Sequence, residues 1–147
     1  MYFLLRFGRF NFFMKPIQVA CAIIEKEGKV LATQRSKSMS LPLKWEFPGG
    51  KIHDGESLRE CLRRELQEEL GIEAVIGHPL SPVTYNYQVF SVTLHPFICK
   101  IISGEIMLHE HAALAWLTPR ELSALDWAEA DVPVIASYRE FIKTRQR

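Results

Sequence analysis

The sequence predicts an α+β domain in which two or three helices cover a mixed β-sheet. Short apolar, β-branched segments alternate irregularly with helical patterns and lack the regular βαβ repeat of a parallel-sheet protein. The length of 147 residues suits one domain with its own core and is too short for two. Hydrophobic residues make up 48% and charged residues 24%, which is ordinary for a globular protein.

Three segments in the first third of the chain have strand character. Residues 17–25 and 30–33 are rich in apolar and β-branched side chains. The Glu27-Gly28 pair between them predicts a hairpin turn, because glycine accepts a positive φ. After a polar loop over residues 36–44, residues 45–47 predict a short strand that ends at a proline-glycine turn.

The strongest helical pattern spans residues 57–70. Its apolar stripe consists of four leucines spaced four residues apart: Leu58, Leu62, Leu66 and Leu70. Gly71 follows the stripe, and a glycine at this point ends a helix by adopting the left-handed conformation. We therefore expect a helix with one buried face that stops at Gly71.

The second half predicts further strands and two more helices. The predicted strands cover residues 72–76, 83–87, 89–102 and 113–117. Thr118 and Glu121 have the spacing of a capping box that opens a short helix. Asp131 is expected to cap a last helix that runs toward Lys143, with Pro133 tolerated in its first turn.

Charge and cysteine usage exclude several classes of protein. A net charge of +1 gives no field that attracts polymeric nucleic acid or an anionic membrane surface. No segment reaches the 18 apolar residues of a membrane span. The three cysteines, Cys21, Cys61 and Cys99, are widely spaced and odd in number, so we expect buried free thiols and a cytoplasmic location.

Residues 1–13 differ from the rest of the chain. They are rich in aromatic side chains, contain Arg6 and Arg9, and precede a second methionine, Met14. A signal peptide would need an uninterrupted apolar run and a small-residue cleavage site, and this segment has neither. We interpret residues 1–13 as an N-terminal extension outside the fold and residues 14–147 as a single domain. An adhesive interaction arm is the alternative.

The predicted helix carries three closely spaced carboxylates. Glu65, Glu68 and Glu69 stand at i, i+3 and i+4, which places them on one helix face. Like charges at this spacing repel, so the arrangement costs stability unless a cation or a basic partner offsets it, and carboxylate oxygens suit Mg²⁺ or Mn²⁺. The alternative is a solvated charged face in which Glu60 and Arg64 form an i, i+4 ion pair.

The segment before this helix favours the metal interpretation. The glycines of the turn at residues 47–51 let backbone groups approach a metal or phosphate closely. Glu56 lies just before the helix, where the helix dipole favours an acidic residue. Arg64 offers a guanidinium fork that can orient a neighbouring carboxylate.

These residues together resemble the signature of the Nudix family. Gly50, five residues, Glu56, seven residues and then Arg64-Glu65-Leu66-Gln67-Glu68-Glu69-Leu70-Gly71-Ile72 match the Nudix box at every defined position. The segment Trp45-Glu46-Phe47-Pro48-Gly49-Gly50-Lys51-Ile52 is similar to the MutT-related branch, which contains 8-oxo-dGTP diphosphatases and CTP pyrophosphohydrolases. The resemblance covers residues 16–141.

The resemblance implies an α/β/α sandwich around a mixed sheet, with a loop-helix-loop that binds divalent metal. It implies that Glu65, Glu68, Glu69 and the carbonyl of Gly49 ligate Mg²⁺, with Mn²⁺ as a substitute. Glu56 would support the metal site. Arg64 would hold a glutamate by ion pairing. Glu110 would complete the site or act as the base, and its alternative is a surface charge before a strand.

The implied reaction is attack of an activated water on a phosphorus of a nucleoside triphosphate, which releases a monophosphate and pyrophosphate. The resemblance leaves open which glutamate is the base and how many metal ions bind. The implied partner is a small nucleotide, and the sequence does not distinguish a monomer from a homodimer. Arg35 and Lys51 are expected to contact phosphate or nucleotide, or else to be ordinary exposed loop cations.

The base is expected to be read by Asp131, which matches the base-reading position of the MutT branch. A carboxylate accepts hydrogen bonds, so it suits the exocyclic amine of cytosine and also guanine N1–H and N2–H. Phe47, Tyr87, Ile17 and Val19 are candidates for the base pocket, or for the core. Three functions stay in play: hydrolysis of CTP, a modified dCTP or an oxidised purine triphosphate; hydrolysis of ADP-ribose, a nucleotide sugar or NADH; and a non-catalytic binding module.

Overall fold

The computed structural model describes residues 15–146, so the expected extension over residues 1–13 and the start at Met14 lie outside the described part. The strands are β1 (Ile17–Lys26), β2 (Lys29–Gln34), β3 (Trp45–Glu46), β4 (Gly49–Lys51), β5 (Glu73–Pro79), β6 (Val83–Asn86), β7 (Ser91–Ser103) and β8 (Ala113–Leu117). The helices are α1 (Leu58–Leu70) and α2 (Val132–Arg145), with 3₁₀ turns at Glu121–Ala124 and Glu129–Asp131.

The strands form a mixed sheet with β1 near its centre. The main order is β3-β2-β1-β7-β5, with β4 paired to β1, β6 to β7 and β8 to β2. β1 runs parallel to β7, from Ile17 opposite Val92 to Ile24 opposite Cys99, and the other pairs are antiparallel. The predicted α+β class with a mixed sheet is therefore confirmed.

The two helices pack on opposite faces of the sheet. Successive residues of a strand point to opposite faces of the sheet, so alternate side chains of β1 belong to different core clusters. Ala22 and Ile24 belong to the core cluster that contains Leu66 of α1. Ile23 belongs to the cluster that contains Val134 of α2. This arrangement is the α/β/α sandwich that the family resemblance implied.

The predicted hairpin and the long helix both form. The hairpin turn has positive φ at both central residues, 53° at Glu27 and 78° at Gly28, as the twist of paired strands favours. The helix α1 starts at the predicted residue, because Ser57 and Glu60 form a reciprocal capping box. It ends at Gly71, whose φ is 69°.

Two local expectations were wrong. Glu60 does not pair with Arg64; its carboxylate accepts a hydrogen bond from the Ser57 backbone instead. Part of the glycine turn, Gly49–Lys51, is a strand that pairs with β1. The strand fits because a Cβ added to Gly49 would lie 2.0 Å from the carbonyl oxygen of Ala20, so only glycine allows this approach. Within residues 15–146, neither helix is long and apolar enough to cross a lipid bilayer.

Candidate active site

A cavity of about 440 Å³ brings most of the predicted site residues together. The predicted residues that line it are Ile17, Val19, Arg35, Phe47, Gly49, Lys51, Glu69, Tyr87, Glu110 and Asp131. Glu56, Arg64, Glu65 and Glu68 are not among its lining residues. A larger cavity of about 930 Å³ lies at the other end of β1 and contains none of the predicted residues, so the smaller cavity is the candidate site.

Arg64 lies at the centre of the acidic motif and donates hydrogen bonds to three of its glutamates. Its Nε donates to Glu56 Oε2 at 2.6 Å, and its Nη1 donates to Glu65 Oε2 at 2.7 Å and to Glu68 Oε1 at 3.3 Å. Its Nη2 reaches the Lys51 carbonyl at 3.2 Å, so one side chain ties the loop after β4 to helix α1. With a second bond to Glu56, from Nη2 to Oε1 at 3.0 Å, one planar guanidinium holds these carboxylates more rigidly than separate pairs would.

Glu56 is held as an anion. The hydrogen bonds from Arg64, followed by the backbone N–H of His53, lower the pKa of its carboxyl to about 2. Its Oε1 accepts the His53 N–H at 2.9 Å, which closes the loop before α1. Glu56 is therefore engaged with the protein, and its position supports the loop rather than projecting into the cavity.

Glu69 has the opposite electrostatic setting. Only 9% of the residue is exposed, and its Oε1 is buried without a hydrogen-bond partner. Burial first, and then repulsion from Glu65, Glu46 and Glu110, raise the pKa of its carboxyl to about 9. The pKa of Glu65 is also raised, first by burial, against the opposing effect of Arg64. Negative charge is therefore unfavourable here unless a cation offsets it.

These residues fit a hard divalent cation. Among residues 15–146, no three His, Cys, Asp or Glu side chains already converge as a complete metal-binding group. The donors are nevertheless carboxylate oxygens, and the unpartnered Oε1 of Glu69 has no protein group to satisfy it. The backbone also approaches closely, since a Cβ added to Gly50 would lie 2.3 Å from the Glu65 carboxyl carbon.

Glu110 lies where α1 ends. It is exposed, and the neighbouring His109 anchors its segment to the helix. His109 Nδ1 donates to the Glu68 carbonyl at 2.7 Å, and the His109 backbone N–H donates to the Glu69 carbonyl at 3.2 Å. Glu110 therefore stands beside the acidic face of α1 and lines the cavity.

Asp131 lies in the cavity wall, but it does not cap α2 through its side chain. Its Oδ1 accepts the Phe47 backbone N–H at 3.0 Å instead. Burial, followed by the charge of Glu46, raises the pKa of its carboxyl well above the usual value. The Phe47 N–H opposes this rise in pKa, so Asp131 Oδ1 acts as a hydrogen-bond acceptor within the protein.

Aromatic side chains form the part of the cavity wall near Asp131. The ring of Phe47 lies 4.8 Å from that of Trp127, and Tyr87 stacks on Phe90 at 4.9 Å between ring centroids. The Tyr87 hydroxyl accepts the Ala130 backbone N–H at 2.9 Å, which fixes the turn that precedes Asp131. Phe90 also lines the cavity, although no pattern in the sequence selected it.

The two predicted cations have different environments. Arg35 is largely engaged, because its Nη1 pairs with Glu46 at 2.7 Å and its Nε donates to the Ser40 carbonyl at 2.6 Å. These bonds give Arg35 a structural role in the loop over residues 36–44. Lys51 is exposed at the cavity edge and is absent from the ion pairs found among the described residues.

Sequence reasoning missed two polar residues of the cavity wall, Glu46 and His111. The His111 side chain is 1% exposed, and its Nε2 lies 2.8 Å from Glu46 Oε2. Glu46 was assigned only to a short strand and to the MutT-like segment, and His111 was not selected. The available signal was a charged residue between Trp45 and Phe47, because a charge flanked by aromatics in a short strand needs a partner.

Comparison with known proteins agrees with this geometry. The NUDIX domain family matches residues 14–138. The CTP pyrophosphohydrolase of Escherichia coli K12 is 39% identical over 125 residues, covering 85% of this chain and 93% of that protein. The 8-oxo-dGTP diphosphatase of Escherichia coli K12 is 33% identical over 127 residues, covering 86% and 98%.

A solved structure has the same fold. The solution structure of the Escherichia coli ORF135 protein superposes with a TM-score of 0.78 at 37% identity, covering 90% of this chain and 94% of that chain. With the family match and the intact acidic motif, the chain belongs to the Nudix family. It is a MutT-like Nudix hydrolase, a member of a family whose enzymes generally use a divalent metal and act on small nucleotides.

Proposed function

We propose that this protein is a Mg²⁺-dependent nucleoside triphosphate pyrophosphohydrolase, with residues 14–147 acting as one domain. Its substrate would be CTP, a modified dCTP or an oxidised purine deoxynucleoside triphosphate, and its products a monophosphate and pyrophosphate. One observation carries the proposal: a single cavity has Glu69 and Glu110 at one end and Phe47, Tyr87 and Asp131 at the other. A nucleotide requires this combination of a metal-phosphate end and an aromatic, hydrogen-bonding end.

The acidic end would hold the triphosphate. Glu65, Glu68 and Glu69, with the Gly49 carbonyl, would bind the cation, and Mn²⁺ would substitute for Mg²⁺. When bound, such a cation supplies charge neutralisation on phosphate and a lower pKa for the attacking water. Arg64 fixes the carboxylates of Glu56 and Glu65 through the bonds described above.

Two further residues would act on the substrate itself. Glu110 stands beside the acidic face and would accept the proton of the attacking water. Lys51 lies exposed at the cavity edge, where its ammonium would meet the phosphate chain.

The other end would bind the base. Asp131 would accept a hydrogen bond from the exocyclic amine of cytosine, or from N1–H and N2–H of guanine, while its Oδ1 accepts from the Phe47 backbone. Phe47 and Tyr87 would pack on the base, with Ile17 and Val19 of β1 completing the wall. Arg35 would contribute through the loop that it holds.

The competing function is hydrolysis of another nucleoside diphosphate derivative, such as ADP-ribose, a nucleotide sugar or NADH. A cavity of about 440 Å³ favours one nucleoside with its phosphates, because a dinucleotide needs a second subsite. A non-catalytic binding module is disfavoured because every acidic residue of the motif is present.

A substrate panel tests the proposal. Purified protein with Mg²⁺ would be given each common and oxidised nucleoside triphosphate, ADP-ribose, a nucleotide sugar and NADH, with pyrophosphate release as the readout. We expect release from at least one triphosphate. Cleavage of ADP-ribose together with inertness toward every triphosphate would refute the proposal.

Glu68→Gln tests the metal-end assignment. Loss of one carboxylate charge from a phosphate-metal site should reduce turnover by roughly 10²-fold or more, while circular dichroism stays unchanged. Glu73→Gln, an exposed change on β5, is the matched control and should retain full activity. Near-normal turnover of Glu68→Gln would remove Glu68 from the site.

Asp131→Ala tests the base-end assignment. We expect KM to rise by about tenfold for the preferred base, which corresponds to one lost hydrogen-bonding partner. The KM of poor substrates that do not use this partner should change less, so the ratio of KM values between poor and preferred substrates should fall. An equal loss for every base would assign Asp131 to structure alone.

A further inference from the structure

A chain of three side chains, Arg35, Glu46 and His111, forms part of the cavity wall. Arg35 Nη1 donates to Glu46 Oε1 at 2.7 Å, and His111 Nε2 lies 2.8 Å from Glu46 Oε2. Both carboxylate oxygens therefore have a separate protein partner. The three residues come from the end of β2, from β3 and from the segment before β8, so the chain joins distant parts of the sequence.

His111 is placed to donate rather than to bind solvent. Its side chain is 1% exposed, and its Nδ1 is buried without a hydrogen-bond partner among the described residues. Glu46 is an acceptor, so the tautomer with hydrogen on Nε2 makes the observed bond and leaves Nδ1 as the unprotonated nitrogen.

The position of Glu46 affects the cavity through two connections. Arg35, held on one side by Glu46, donates on the other side to the carbonyl and the hydroxyl of Ser40. The cavity wall includes Met39, Ser40 and Leu41 from this loop. The second connection runs along the backbone, because the residue after Glu46 is Phe47, whose N–H donates to Asp131.

We propose that His111 is a positioning residue for nucleotide binding, which fixes Glu46 together with Arg35 and so shapes the cavity wall before the substrate enters. The inference rests on the proposed function. It predicts an effect on binding rather than on the chemical step, because Arg64 holds the carboxylates of α1 through bonds that do not involve His111. Preorganised walls raise affinity by reducing the ordering that binding requires.

Two variants separate this role from general packing. In His111→Gln, the amide nitrogen reaches about as far as Nε2 and can still donate to Glu46. In His111→Asn, the shorter amide ends near the position of Nδ1 and cannot. We expect His111→Asn to raise KM for the best nucleoside triphosphate about tenfold with kcat within twofold, as for loss of one charge-assisted hydrogen bond. His111→Gln should restore KM to within about threefold of wild type.

Binding without turnover gives an independent readout. Isothermal titration with an α,β-methylene nucleoside triphosphate should show the same tenfold weakening for His111→Asn. His78→Asn is the control, because His78 is exposed on β5 and stacks on Phe141 away from the cavity. Its KM and Kd should match those of wild type.

Several results would overturn the inference. KM unchanged in His111→Asn, or raised equally in His111→Asn and His111→Gln, would leave only a packing role. A fall in kcat at constant KM would assign His111 to the placement of its neighbour Glu110 instead. If wild type hydrolyses no nucleoside triphosphate, the proposed function fails first, and that outcome is distinct from active wild type with an unaffected His111→Asn.

Discussion

Replacement of Glu69 by glutamine should stabilise the protein in the absence of metal, although Glu69 is a candidate metal ligand. Its carboxyl has a pKa of about 9 in the folded state, against an ordinary 4.5. The folded state therefore holds a proton that the unfolded state releases as pH rises above 4.5. Each further pH unit favours the unfolded state by about 1.4 kcal/mol, until the folded pKa is reached.

The size of the stability change follows from the difference between the folded and unfolded pKa of Glu69. At pH 7.5 the buried carboxyl costs the metal-free protein about 4 kcal/mol, and at pH 5.0 it costs about 1 kcal/mol. Glutamine has no proton to lose, but its amide leaves a buried donor unpaired at a cost of about 1–3 kcal/mol at either pH. The net gain at pH 7.5 is about 1–3 kcal/mol, and the variant should lose its advantage near pH 5.0.

Urea unfolding in EDTA, followed by tryptophan fluorescence at pH 5.0, 6.0 and 7.5, measures this effect. The difference in unfolding free energy between Glu69→Gln and wild type should grow by about 3 kcal/mol across that range. Glu68→Gln is the control, because it removes an exposed carboxylate from the same helix. An equal gain in Glu68→Gln would assign the effect to net charge rather than to the burial of Glu69. Parallel pH profiles for Glu69→Gln and wild type would refute the reasoning.

Two further perturbations follow from the packing of α1. Arg64→Lys keeps the charge but loses the planar fork, so turnover should fall by about 10- to 100-fold and the melting temperature by several degrees. Pyrophosphate release and calorimetry measure these two effects. Unchanged turnover would contradict the role of Arg64 in holding the carboxylates. Leu66→Ala removes a fully buried side chain, so urea unfolding should show a loss of about 2–5 kcal/mol, whereas a loss below 1 kcal/mol would contradict its place in the core.

Local patterns predicted the features that depend on neighbouring residues. Helix α1 was predicted from its leucine spacing and from Gly71, both of which act within a few positions. The hairpin follows from Glu27-Gly28 in the same way. The acidic residues were recognised because their spacing along one helix is itself the signal.

The contacts that the sequence did not reveal join distant residues. Glu46 meets His111 across 65 positions and Asp131 bonds to Phe47 across 84, and no local pattern contains such a pair. The expected cap at Asp131 was wrong for this reason: its side chain had a stronger partner in the Phe47 backbone than in its own helix. Burial then raised the pKa of its carboxyl, an effect that depends on the assembled fold and not on residue type.

The pairing of β4 with β1 has a consequence for how such a chain can vary. Gly49 and Gly50 lie opposite Cys21 and Ala20, while Val19 and Cys21 of the same strand line the cavity. The two ends of the candidate site are therefore both positioned by the same strand, β1. Inserting a single residue into β1 would exchange its two faces and displace both ends together. The loop over residues 36–44 lies outside this pairing, so a change in its length would leave the register of β1 and β4 intact.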